Sequence, residues 1–324
     1  MSTLVNDNGE LRSGWKFALY LLLFVIFLFA TGAAISILAN PSIVNSEIEF
    51  LGINAIALTL PAVLTLLFMI RFVDHVPGAA YGTGRHEGMG HDFLFGLLIA
   101  AGMLILFGLA SAAAGGLTIE TAPHGDGFWG RLLVVVILLG VSAFNEELVF
   151  RGYPMQVLMT GIGPLPAIVV MSGLFGLLHH LNPNATWLGT LNVVLAGVLL
   201  SLAYLRTRSL WFPFGIHIGW NLGLGPIFGF PVSGLTIGSI WNSQSVGADW
   251  VTGGKFGPEG GVLGTLAIIV AIIAVQWTRA VNVSPTLRTL LLAHSNKVYA
   301  RGFGPDVVLD RSAGKGPRAR VEES

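Results

Sequence analysis

The chain contains no cysteine, which excludes disulfides, thiolate nucleophiles and every Cys-based metal site. Charge is nearly as scarce: 10% of the 324 residues are charged, against the ~25% usual in a soluble domain. Acidic and basic residues number 17 each, so no net charge points to nucleic acid. No internal repeat of the two-halved transporter kind is present. The glycine-rich stretch from Gly253 to Gly261 lacks the Gly-Lys-Ser/Thr ending of a phosphate loop and reads as a tight re-entrant turn in a long external loop, 231–260.

What the chain does have is apolar residue, 53% of the total, gathered into long blocks. About 20 such residues cross the hydrocarbon core of a bilayer. Eight blocks qualify: 15–38, 50–72, 93–115, 131–160, 163–181, 187–205, 210–230 and 261–278. The first is too long for the h-region of a signal peptide, has no clear small-residue cleavage site, and is expected to stay as a span. The fold class expected is all-α, a polytopic membrane helix bundle with about eight transmembrane helices. With the N-terminus inside, only Arg131 and Lys255 of the 17 basic residues fall on the outer side, so both termini are expected to be cytoplasmic. Three regions follow: 1–92, two helices and a cytoplasmic loop; 93–280, a membrane core; and 281–324, a basic tail that reads as disordered from Arg311. That tail is a solvated face with some attraction for anionic lipid, not a nucleic-acid site.

Ionisable residues inside a span are rare and mark function. Here they are Glu146, Glu147 and Arg151 in the fourth block, His179 and His180 in the fifth, and His217 with the amide Asn221 in the seventh. The other histidines fall in loops or the tail. Neighbours in a helix point ~100° apart, whereas residues four apart meet. Glu147 should therefore pair with Arg151, leaving Glu146 to face the site. Phe175 should brace His179, and His217 shares a face with Asn221. The fourth helix must continue to about 160 for depth to agree. Glu146 and His179 then both lie ~21 Å from the turn at Gly161-Ile-Gly-Pro164, at 1.5 Å per residue. His217 comes out shallower and reaches them only through tilt or an earlier helix start.

A carboxylate shielded from bulk water, with a histidine, can activate a water molecule, and a second histidine with an asparagine amide can stabilise an oxyanion. No serine nucleophile has an obvious base beside it, so hydrolysis of an acyl bond by activated water is favoured. The metal alternative takes Glu146, His179 and His217 as candidate ligands for a divalent ion such as zinc. Spacing gives it no support, because the His-Glu-x-x-His helix is absent.

The motifs Glu146-Glu147-x-x-x-Arg151, Phe175-x-x-x-His179 and His217-x-x-x-Asn221, in that order and on apolar spans, resemble those of the CPBP family. That family holds the type II CAAX prenyl endopeptidases and the bacterial Abi proteins. The resemblance covers roughly 93–230. It implies an intramembrane glutamate-dependent protease, in which Glu146 and His179 activate water and His217 and Asn221 stabilise the oxyanion. Glu147 and Arg151 match motif positions and have supporting roles. The family is often labelled metalloprotease, although a metal-free glutamate mechanism is the better supported description in its prenyl-protein members. His180, directly after the motif histidine, leaves open which imidazole enters the site.

The expectation is a multi-pass protein of a bacterial or archaeal cell membrane that cleaves membrane-associated peptides or proteins entering from the cytoplasmic side. Its partners are that substrate and the lipid bilayer, with no nucleic acid. Two other classes compete: a non-catalytic scaffold or bacteriocin self-immunity protein, and a proton-coupled transporter using Glu146 and the histidines as a relay. The complete motif set argues against the first, and the lack of a repeat against the second.

Overall fold

A computed structural model describes residues 3–6, 9–38 and 47–294; the tail expected to be disordered from Arg311 lies outside them. The helices in chain order are α1 (Ser13–Leu38), α2 (Glu47–Phe68), α3 (Met89–Ala114), α4 (Phe128–Arg151), α5 (Tyr153–Ile162) and α6 (Pro164–His179). After them come α7 (Trp187–Thr207), α8 (Trp211–Leu222), α9 (Asp249–Thr252), α10 (Val262–Trp277) and α11 (Pro285–Ala293). One small sheet is present among the described residues. In it β1 (Leu117–Thr121) pairs antiparallel with β2 (Trp241–Ser245), Leu117 opposite Ser245. The protein is an all-α integral membrane bundle.

Among the described residues five helices are long and apolar enough to cross a membrane. The other three expected spans are apolar but short: α6 and α10 have 16 residues each, and α8 has 12 before a π-turn at Gly223–Ile227 that contains Pro226. Along α3 the bulky Leu94, Leu98, Ile105 and Leu109 are exposed, as lipid-facing residues should be, while Ala100, Met103 and Phe107 are buried. This spacing separates an outward from an inward face even though both are apolar.

One expectation needs correction. The fourth span runs past 160 to Ile162, as depth requires, but as a jointed pair and not one continuous helix: α4 ends at Arg151 and α5 starts afresh at Tyr153. Pro154 is the cause, since its ring and missing N–H break a continuing helical ladder. Gly152 makes the joint with φ −74° and ψ −126°, and its N–H still reaches the Glu147 carbonyl at 3.1 Å. A Cβ at Gly152 would strike the carbonyl oxygen of Leu148, so glycine fits here and larger residues do not.

Backbones approach most closely where α3 crosses α8. A Cβ on Gly96 would lie 2.6 Å from the Phe212 carbonyl oxygen, and one on Gly215 would overlap that of Phe93. Small residues at a membrane helix crossing permit this contact, and α8 carries His217. Gly215→Ala should accordingly cost ~1–3 kcal/mol through overpacking, read as a lower melting temperature in detergent. An unchanged melting temperature would contradict the close crossing.

The two N-terminal helices pack on the rest through α4 and α5. A buried ion pair helps to hold them: Lys16 Nζ lies 2.5 Å from Asp74 Oδ1, just beyond α2, and Tyr81 donates to Asp74 Oδ2 at 2.6 Å. Burial, and then the Asp74 charge, pushes the Tyr81 phenol well above its ordinary range, so it stays a donor. Two apolar clusters fill the bundle, one containing Tyr20, Tyr153 and Phe175, the other Phe107, Phe212 and Trp220. The candidate site lies where α4, α6 and α8 bring these clusters together.

Candidate active site

Three elements deliver the motif residues. Near the end of α4 the two glutamates diverge as one residue of helical rotation requires. Glu147 is fully buried, while the Glu146 side chain keeps 23% of its exposure and lines a cavity. The last turn of α6 supplies His179, and the middle of α8 supplies His217 with Asn221 one turn further on; all three line the same cavity.

Glu146 Oε2 lies 3.7 Å from His179 Nε2 and 3.8 Å from His217 Nε2. These separations exceed a direct hydrogen bond and suit groups that share a water molecule. His179 Nδ1 lies 2.8 Å from the Phe175 carbonyl oxygen. A carbonyl only accepts, so Nδ1 carries the proton and Nε2 is the nitrogen turned to Glu146. The Phe175 ring, 4.5 Å from that of His179 centroid to centroid, fixes the imidazole plane. The depth mismatch expected for His217 does not arise, because α8 brings it level with both partners.

Glu147 does more than its spacing indicates. Its Oε1 accepts from Arg151 Nη1 at 3.1 Å, as expected, and also lies 2.8 Å from His217 Nδ1. One carboxylate oxygen thus joins α4 to α8 and sets the orientation of the second histidine. Arg151 is fully buried; its Nη2 donates to the Gly197 carbonyl at 3.3 Å and its guanidinium lies 4.4 Å from the Phe175 ring centroid. Phe175 therefore packs between the Glu147–Arg151 pair and His179.

His180 points elsewhere. Its ring stacks on Trp187 at 4.3 Å, and Nδ1 lies 2.7 Å from Thr190 Oγ1. That hydroxyl donates to the Thr186 carbonyl, so it accepts from His180. His179 alone of the adjacent pair lines the cavity.

Residues 128–223 match a family model described as Type II CAAX prenyl endopeptidase Rce1-like. The match agrees with the CPBP resemblance, since the Rce1-like segment runs from the start of α4 to just past α8 and contains every motif residue. No curated protein matches the chain.

The cavity, about 820 Å³, extends beyond the Rce1-like segment. Leu21, Phe24 and Val25 of α1 and Phe50 and Asn54 of α2 form one side, several of them exposed to the outside of the bundle. The other end is closed by Ser233 and Glu259, from the loop between α8 and α10. The Gly253–Gly261 stretch folds there as 3₁₀ turns, Gly254–Phe256 and Pro258–Gly260. It is held by Asn192 of α7, whose side-chain amide donates to the carbonyls of Glu259 and Gly261 at 2.8 and 2.9 Å. Sequence reasoning missed Glu259 because it sits in a loop, and missed Asn192 although an amide within an apolar run was a readable signal.

The zinc alternative draws on the same three side chains. Each candidate histidine holds a partner through Nδ1 and presents only Nε2, so Glu146, His179 and His217 offer three donor atoms. Among the described residues, however, no group of three such side chains is arranged to hold a metal ion.

Proposed function

We propose that the protein is an intramembrane endopeptidase that hydrolyses a peptide bond with water activated by Glu146, without a metal ion. The observation that carries this reading is the convergence of Glu146 Oε2 with the Nε2 atoms of His179 and His217, inside a largely apolar cavity beside Asn221. The family model matched by the same segment names a peptidase and supports the choice of bond.

Glu146 takes a proton from the water that it shares with His179, and the hydroxide oxygen bonds to the scissile carbonyl carbon. The oxygen of that carbonyl becomes negative and accepts from Asn221 Nδ2 and His217 Nε2. With Glu147 accepting at Nδ1, His217 donates from Nε2 as an imidazolium, whose charge opposes the oxyanion. The C–N bond then breaks and Glu146 returns its proton to the leaving amine. Glu147 and Arg151 are positioning residues that act through His217 and Phe175. The substrate is a membrane-associated peptide or protein that enters from the cytoplasmic side. Both termini of the enzyme are cytoplasmic, and the cell membrane is bacterial or archaeal.

Cleavage of a membrane-peptide library by the detergent-purified protein tests this, beside Glu146→Ala and His179→Ala. The wild type should give discrete products, and both variants should lose them. Identical product profiles from all three proteins would end the protease reading. A chelator should leave the wild-type products unchanged; their loss, with recovery on adding zinc, would establish a metal-dependent reaction instead. In the same assay Asn221→Ala should slow turnover by ~10²–10³-fold, the usual cost of one oxyanion donor.

A further inference from the structure

The cavity contains a second carboxylate that the mechanism does not use. Glu259 is 9% exposed and lines the cavity wall. Its Oε1 accepts from Trp220 Nε1 at 3.1 Å, and its Oε2 accepts from the Ser233 backbone N–H at 2.6 Å and from Ser233 Oγ at 2.7 Å. All three partners are neutral donors. Among the described residues no Lys, Arg or His forms an ion pair with it. A buried carboxylate is ordinarily paired with a cation. Here the anion is fixed in place, open to the cavity and left with its charge uncompensated.

Glu259 lines the same cavity as Glu146, His179, His217 and Asn221. Trp220 follows His217 by three residues on α8 and precedes Asn221 directly, so the indole that Glu259 holds springs from the same helical turn as those two residues. An extended peptide advances ~3.3–3.6 Å per residue. A substrate side chain within a few residues of the scissile bond would reach Glu259 in this cavity, with the Trp220 indole beside it. The rest of the cavity wall is largely apolar.

We propose that Glu259 and Trp220 form a specificity subsite for a basic side chain, Lys or Arg, close to the scissile bond of the substrate. The proposal rests on the peptidase reading above. The carboxylate supplies the counter-charge and the indole a cation–π face, while Asn192 and Ser233 keep the loop from following the ligand. Glu259 touches substrate but takes no part in proton transfer.

The test uses the full chain in detergent and paired membrane peptides that differ only in Lys or norleucine at each position flanking a mapped cleavage site. At one position the wild type should show a kcat/KM at least about tenfold higher for the Lys peptide. The Glu146→Ala protein should bind that peptide more tightly by a similar factor. Glu259→Gln should bring the cleavage ratio to about one, and Glu146→Ala/Glu259→Gln the binding ratio. Equal handling of both peptides at every position by the wild type and Glu146→Ala overturns the subsite, as does a Lys preference that survives Glu259→Gln. If Glu259→Gln has no folded melting transition, the wild-type and Glu146→Ala comparisons decide on their own. Should the wild type cleave no peptide, the same Lys or norleucine scan is run along one library peptide and read by binding. A Lys preference of Glu146→Ala that Glu146→Ala/Glu259→Gln loses then leaves the cation subsite standing while the peptidase reading fails.

Discussion

Glu146→Gln should lower kcat/KM for a cleaved membrane peptide by ~10³-fold or more while leaving the protein folded. A positioned general base contributes ~10²–10⁴ to rate, and among the described residues Glu146 is the only carboxylate within 4 Å of both Nε2 atoms. Glutamine keeps the shape of the side chain and loses only the capacity to take a proton from water. Stability should change little, because the Glu146 side chain is 23% exposed and has no Lys or Arg ion pair among the described residues. The check pairs steady-state kinetics with a thermal melt. Retention of activity within tenfold would remove Glu146 from the role of base, and a lost melting transition would make it structural.

The second large effect concerns Arg151. Arg151→Met should destabilise the protein by ~3–5 kcal/mol, because the buried Glu147 carboxylate would lose its guanidinium and keep only His217 as a partner. Arg151 and Glu147 are both fully buried, so solvent screening does not soften the loss. The double variant Glu147→Leu/Arg151→Met removes both charges and should regain much of that stability, since an apolar pair of similar volume is often neutral. Activity should not return with it, because His217 would have lost the acceptor at Nδ1. Chemical denaturation and kinetics on both proteins separate the two roles. A single variant as stable as wild type would show that the pair is not buried, and a fully active double variant would show that Glu147 does not position His217.

Much of the site was readable before any coordinates. The Glu147–Arg151 pair and the Phe175–His179 contact follow from spacing within one helix, where residues four apart must meet. The approach of Glu146 to His179 followed from depth, although through a continuous helix that Pro154 does not permit. Contacts between helices were harder to read. Glu147 reaches His217 across 70 positions of sequence, and nothing in the spacing of either helix indicates it. The choice between His179 and His180 was equally closed, since adjacent residues differ only by a rotation that the packing of α6 on α7 fixes. Glu259 is hidden for another reason: it lies outside every apolar block, and the loop carrying it folds back against α7 and α8. The bundle class was plain from apolar blocks alone. The count of eight rested on block length, and α6, α8 and α10 are shorter than those blocks.

The central claim is that a water molecule, activated by Glu146, attacks the peptide carbonyl directly. It is tested most directly by cleaving one mapped peptide in H₂¹⁸O with hydroxylamine present and weighing the products. Direct attack predicts a new C-terminal carboxylate carrying one ¹⁸O, no hydroxamate, and neither product from Glu146→Gln. A hydroxamate product, or ¹⁸O-labelled product formed equally well by Glu146→Gln, would contradict it.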